Sequence, residues 1–326
     1  MHPLLVGILA ANCGIMGFDI YLRVRQWKVV NRTTELPPEL NEGASVARVF
    51  DQIRISTLRR TEMAILYCFY KLIQVTTLLC YYCPSFLWTW TIHHFGNRMW
   101  QPVAYVIEES IISDLIRLPL NLIVFLELRR TQQNHKVALL LSSHEGNHAD
   151  ADHVAYFTGM FSSKVIVISL TLILSMTEEE IVAIVAHEMG HWKLRHAWYY
   201  LISRAFYNLF LCVLLMNYYD SLKLYNAFNI EVNNTPPHPV LSFILIADYM
   251  LPPFDRILSI CSNYITRLCE YEADQFAKQL GQEIPLRTAL IKIYTHKLIF
   301  PVNDELYSIC YVTHPSILER VRAIQR

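Results

Sequence analysis

Residues 177–192 read TEEEIVAIVAHEMGHW. Thr177, with Glu180 three residues on, makes a capping box, so a helix is predicted to start there. Ile181, Ile184 and Val185 follow at helical spacing. His187 and His191 are four apart, so their imidazoles leave one face of the helix and converge on one ion. Glu188 is turned by about 100° around the axis. It ligates poorly from there but reaches water bound to such an ion. Zinc brings the pKa of that water toward neutrality, and Glu188 takes its proton as general base.

A second stretch, RLCEYEADQFAKQL at residues 267–280, completes the constellation. Glu270 and Asp274 are again four apart on a helical pattern. Glu270 supplies a third ligand and leaves the fourth position open for water. Asp274, one turn away, is placed to accept a proton from a ligand imidazole and fix its tautomer. The expected cofactor is one Zn2+ per chain. The other histidines read as solvated or structural. His93 and His94 end an apolar span, His196 follows the basic run WKLR, and His144, His148 and His153 lie in a polar loop.

Around these motifs the 326-residue chain is 53% apolar and only 17% charged, against about 25% charged in a soluble domain. Mean hydropathy is +0.26, so much of the surface is expected to face a lipid bilayer. Lysine and arginine together number 28, as do aspartate and glutamate, which excludes a broad polyanion-binding surface and nucleic acid as a partner. Eight cysteines are present, and Cys80 and Cys83 are the only close couple. Their neighbours are those of a membrane helix, so the thiols are expected to be buried and inert rather than a disulfide framework.

Five apolar stretches approach the roughly 20 residues a helix needs to cross a bilayer: 3–21, 63–92, 110–127, 199–219 and 239–263. The first lacks a basic leader and a small-residue cleavage site, so it is read as a retained helix. Residues 22–62 carry eight Lys/Arg, 129–198 six and the tail from 264 eight, whereas 93–109 and 220–238 carry one each. This alternation places the N-terminus outside and the basic segments, HEMGH included, in the cytosol. Asp19, Lys71, Asp114, Arg117, Arg204, Asp248, Asp255 and Arg256 fall at or near membrane depth, where charges face a partner or a wet cavity. AYFTG and KVIVIS, between the third and fourth spans, read as short strands. The expected organisation is membrane helices and a cytosolic loop over 1–128, then a zinc-binding portion over 129–326.

Several blocks together resemble the type I CAAX prenyl endoproteases, eukaryotic membrane zinc proteases that trim farnesylated proteins. They are HEMGHWKLRH, CEYEADQFAKQL and FPVNDELYSICYVTHPSILERVRAI, with FDIYLRVRQWKV, VFDQIRISTLRR and YVIEES upstream. The resemblance implies His187, His191 and Glu270 as ligands, Glu188 as base and Asp274 as the residue behind the ligands. It also implies His314 and Arg320 near the scissile carbonyl. The implied fold is an all-α polytopic membrane protein, a helical barrel around an intramembrane chamber with a small strand-containing metalloprotease portion. The implied substrates are prenylated proteins or peptides. The implied location is the endoplasmic reticulum and inner nuclear membranes, with the site facing the cytosol.

This sequence departs from the family in two ways. Family members are longer and carry seven spans where five are read here, the deficit falling between residues 110 and 150. The family's Ser-Asn-Ala-Tyr also reads His153, Val154, Ala155, Tyr156, which removes an asparagine expected to hydrogen-bond substrate. Removal of the last three residues of a prenylated C-terminal motif is the leading functional reading. A broad quality-control protease for membrane proteins and a membrane scaffold with a vestigial zinc site stand as alternatives.

Overall fold

The helices near the HExxH motif start at caps written in the sequence, Ser169 for one and Thr177 for the next. The computed structural model describes residues 1–40, 44–81, 83–116, 118–119, 122, 155–158, 165–219, 221–232, 239–297 and 299–326. In chain order the elements are α1 (Pro3–Arg32), α2 (Ala44–Cys80), α3 (Cys83–His94), α4 (101–116), β1 (Ala155–Thr158), β2 (Val165–Ile168), α5 (Leu170–Ser175) and α6 (Glu178–Lys193). There follow α7 (His196–Tyr218), α8 (Leu222–Ala227), α9 (Pro239–Leu245), a π turn (Ile246–Met250), α10 (Leu251–Gln279), α11 (Glu283–Lys297), α12 (Glu305–Tyr311) and α13 (Ile317–Gln325). Apart from one antiparallel hairpin, which pairs Ala155 with Ile168 and Thr158 with Val165, the described residues form an all-α polytopic membrane protein.

The chain divides into two compact units, each made of three segments. The first comprises residues 1–23, 63–128 and 204–259. Its core packs Leu5 and Ile8 of α1 with Trp88, Tyr105, Tyr225, Phe228, Leu241, Leu245 and Tyr249. Asn12 is buried there and donates to the carbonyls of Ile8 and Tyr249, at 2.9 and 2.8 Å. The second of these lies in the π turn, a helix irregularity that disturbs the regular backbone ladder. Asp19 and Arg256 pair at 2.7 Å, so two charges expected at membrane depth satisfy one another.

Three helices are long and apolar enough to cross a membrane: Pro3–Arg32, Phe50–Cys80 and His196–Tyr218. An 18-residue window of the last has no buried residue, as expected for a helix facing lipid. The stretch read as one span over 63–92 is instead α2 ending at Cys80 and α3 starting at Cys83, with Pro84 in the first turn of the second helix. The stretch 239–263 is interrupted by the π turn and carries Asp248, Asp255 and Arg256, and it does not meet the same criterion. Of the stretch 110–127, helix α4 covers residues 110–116, and most of the remainder, including Arg117, lies outside the described residues. The thiols are also less buried than expected. Cys269 and Cys310 are buried, but Cys80, Cys212 and Cys261 are exposed, on helices whose outward faces are apolar.

The second unit comprises residues 24–62, 129–203 and 260–326. Its largest core joins Ala183 and Ala186 of α6, Ala277 of α10, Leu286 and Leu290 of α11, and Ile317, Leu318, Val321 and Ile324 of α13. Two blocks far apart in sequence meet here. Arg25 pairs with Asp304 at 3.0 Å, and Gln26 both donates to Asn303 Oδ1 at 2.9 Å and accepts from the Asp304 amide at 2.7 Å. Asp304 also caps α12 by accepting from the Tyr307 amide at 3.0 Å. Gly281, at φ 77°, ends α10, and the Gln282 amide returns to the Ala277 carbonyl at 3.1 Å.

Candidate metal centre

Helix α6 carries the two histidines, and its start is the expected capping box. Thr177 Oγ1 accepts from the Glu180 amide at 3.3 Å, and Glu180 accepts from the Thr177 amide at 2.8 Å. Such caps contribute about 1 kcal/mol. Lys292 of α11 adds a 2.7 Å ion pair to the same Glu180 carboxylate. The helix faces α10 across Gly190. A Cβ there would lie 3.0 Å from Ala273 Cα and 3.2 Å from the Ala273 carbonyl oxygen. Only a glycine lets the two backbones approach this closely.

The approach brings four motif residues together. His187 Nε2 and His191 Nε2 are 3.1 Å apart, and they lie 3.7 and 3.5 Å from the two Glu270 carboxylate oxygens. These three residues are the one group of potential ligands found among the described residues that is able to hold a metal ion. His187 Nδ1 donates to Asp274 Oδ1 at 2.9 Å, which leaves its Nε2 lone pair facing the other ligands. His191 Nδ1 faces His196 Nδ1 at 2.8 Å, and His196 Nε2 faces Glu272 Oε2 at 3.0 Å. Glu188, half-buried, follows His187 directly on α6.

The C-terminal motif closes over the same candidate ligands. Ser316, not His314, caps α13, in a capping box with Glu319. Glu319 is also gripped by Arg267 at 2.8 Å, and Arg267 donates to Ser308 at 2.7 Å, so α13 is tied to α10 one turn from Glu270. His314 precedes the cap and donates to Glu270 Oε1 at 3.0 Å, with its side chain 63% exposed. Arg320 is buried and donates to Asp274 at 2.5 and 2.8 Å and to Glu270 Oε2 at 3.3 Å. His314 and Arg320 therefore meet on Glu270 although they do not share a helical face. Tyr294 Oη donates to the Pro315 carbonyl at 2.7 Å and fixes the turn between them; burial pushes its phenol up to about 12.

Charge follows from this packing. Burial alone would raise the Glu270 carboxyl, but the facing His191 and His314 imidazoles and the Arg320 guanidinium hold it well below the usual carboxylate range. Burial acts the same way on Asp274, and there too Arg320, with His187, reverses it. Arg320 in turn is held charged: burial opposes its charge, and the two carboxylates outweigh that.

Two residues of this centre are not legible as such in the motifs. His196 takes the structural of its two expected roles, buried against the candidate ligand His191, and the contact itself is what the motif does not show; its signal is a third histidine five residues after His191. For Gly190 the signal is a glycine between the two histidines in a helix interior. Val154, His144, His148 and His153 lie outside the described residues.

Fold and site together define a polytopic membrane protein with a candidate His-His-Glu metal site, its histidines on a HExxH helix and its glutamate on α10. The model of peptidase family M48 matches residues 120–326, and the chain belongs to that family. A second model, described as the CAAX prenyl protease N-terminal region with five membrane helices, matches residues 26–128. Among curated relatives, the probable CAAX prenyl protease 1 of Schizosaccharomyces pombe is 35% identical over 189 residues, covering 58% of this chain and 38% of its own length. The CAAX prenyl protease 1 homolog of Homo sapiens is 36% identical over 148 residues, covering 45% of this chain and 30% of its own length. The chain spans about two fifths of the length of the first of these relatives. The crystal structure of S. mikatae Ste24p superposes with a TM-score of 0.74 at 21% identity, covering 100% of both chains, a likeness of fold.

Proposed function

We propose that this chain is a zinc metalloendopeptidase of the membrane that removes the C-terminal tripeptide of prenylated CaaX proteins. The observation that carries the reading is the convergence of His187, His191 and Glu270, with Glu188 next to the first ligand. The donor set fits zinc: ligands at 2.0–2.2 Å around a tetrahedral ion lie about 3.3–3.5 Å apart, close to the 3.1, 3.5 and 3.7 Å separations observed. Two imidazoles and one carboxylate are also the protein ligands of hydrolytic zinc sites that keep one position open.

Zinc bound there supplies Lewis acidity toward the scissile carbonyl and acidifies water at the open position. The chain's own groups do the rest. Glu188 accepts the proton of the attacking water and passes it to the leaving amine. His314, largely exposed beside Glu270, is the donor available to the oxyanion, through Nε2 of the imidazolium while Nδ1 stays on Glu270. Arg320 is committed to Asp274 and Glu270, so its part is to hold ligands rather than to donate to substrate.

The substrate class is supported by the names of the relatives and by the apolar helices, which supply surface for an isoprenoid. The distribution of Lys/Arg supports a site facing the cytosol, and the resemblance supports the endoplasmic reticulum and inner nuclear membranes. Mass-spectrometric mapping of products from a farnesylated CaaX peptide and its unprenylated form tests the proposal. Release of the terminal tripeptide from the farnesylated peptide, abolished by chelator, is expected. Equal cleavage of both forms would point instead to a broad membrane quality-control protease.

A further inference from the structure

The proton positions around His191 follow from one carboxylate. Glu272 accepts only, so the His196 Nε2 that faces it at 3.0 Å carries the hydrogen. A neutral His196 then has a bare Nδ1, and that atom faces His191 Nδ1 at 2.8 Å. His191 Nδ1–H must be the donor, which leaves the His191 Nε2 lone pair pointing at His187 Nε2 and Glu270. Asp274 imposes the same tautomer on His187 from the other side. The local chain is built to deliver this contact. Arg195 takes a left-handed turn at φ 59°, α7 starts at His196, and the imidazole is 1% exposed, although its carboxylate partner is 58% exposed.

From this geometry we propose that His196 is a positioning residue that sets the tautomer and orientation of His191 through an imidazole–imidazole hydrogen bond, with Glu272 fixing the direction of the relay. The inference rests on the zinc reading of the site. His196 does not touch the ion or substrate. It makes His191 a better ligand, as outer hydrogen-bond partners of metal-bound imidazoles do, an effect commonly on the order of 10–100-fold in metal affinity.

The test is zinc affinity of the purified full chain by chelator competition, with thermal unfolding of the zinc-free forms as a fold control. His196→Leu fills the space but removes the acceptor, and zinc affinity should fall by about 10–100-fold. His196→Asn places Oδ1 where Nδ1 accepted, and it should restore most of that loss. Glu272→Ala, at an exposed position that tolerates change, should weaken zinc binding severalfold by freeing the His196 tautomer. Equal losses in the Leu and Asn variants would show a packing role only and overturn the proposal, as would unchanged affinity in Glu272→Ala or His196→Leu. A wild-type chain that takes up no zinc would overturn the metal reading itself and this inference with it.

Discussion

Arg320 grips Asp274 with two nitrogens, at 2.5 and 2.8 Å, so the C-terminal helix α13 holds the carboxylate that orients His187. Both side chains are buried, and neither charge has water to fall back on. Breaking such a pair by removing one partner costs roughly 3–5 kcal/mol, because the other charge is left buried and alone. Arg320→Met should therefore lower the thermal midpoint and, in the same protein, weaken zinc binding by about 10–100-fold with all three ligands in place. Wild-type zinc affinity in Arg320→Met would show that Arg320 plays no part in holding the metal centre.

The closeness of α6 and α10 makes a second prediction. A methyl at residue 190 meets backbone, not a movable side-chain end. Gly190→Ala should force the helices apart at a cost of about 1–3 kcal/mol. Because His187 and Glu270 sit on opposite sides of that contact, zinc affinity should fall with stability. Calorimetry and chelator competition on the same preparation check this, and loss of neither would mean that the helices are not set by Gly190.

His314 is the exposed member of the C-terminal pair. His314→Ala should reduce kcat by about 10²–10³-fold with little change in KM, as for loss of one oxyanion donor. Zinc content should be retained. If zinc is lost along with kcat, the 3.0 Å contact to Glu270 is what matters and His314 belongs with Arg320 as a positioning residue.

Topology is testable separately from chemistry. The charge distribution predicts that a tag placed after Arg326 is digested by protease added to intact microsomes, and that Asn31, in an Asn-x-Thr acceptor, carries no glycan. Protection of the tag, or glycan on Asn31, would reverse the orientation. The other acceptor, Asn233 with Thr235, lies outside the described residues.

Helix α6 was legible because its cap, its apolar spacing and its two candidate ligands are all local. Thr177 and Glu180 pair as their spacing predicts, and both strands of the hairpin fall where AYFTG and KVIVIS place them. Glu270 and Asp274 were legible as a second i, i+4 pair, although what joins them to α6 is the absence of a side chain at Gly190. The partner of Arg320 was less legible. The adjacent Glu319 is taken by the Ser316 cap and Arg267, and the true partner lies 46 residues away. His196 escaped because a buried relay from a ligand to an exposed carboxylate leaves no periodic trace. The assembly of the second unit from separate segments, with Arg25 and Gln26 meeting Asn303 and Asp304 inside it, arises from contacts between distant parts of the chain that hydropathy does not record.

Glu188 is proposed as the base of a zinc-dependent hydrolysis at His187, His191 and Glu270. The most direct measurement is the cleavage rate of Glu188→Gln on a farnesylated CaaX peptide, taken on protein whose zinc has been counted by mass spectrometry. One zinc per chain, as in the wild type, and a rate lowered by about 10²–10⁴-fold are expected. A Glu188→Gln protein that holds its zinc and cleaves at near the wild-type rate would contradict that role for Glu188.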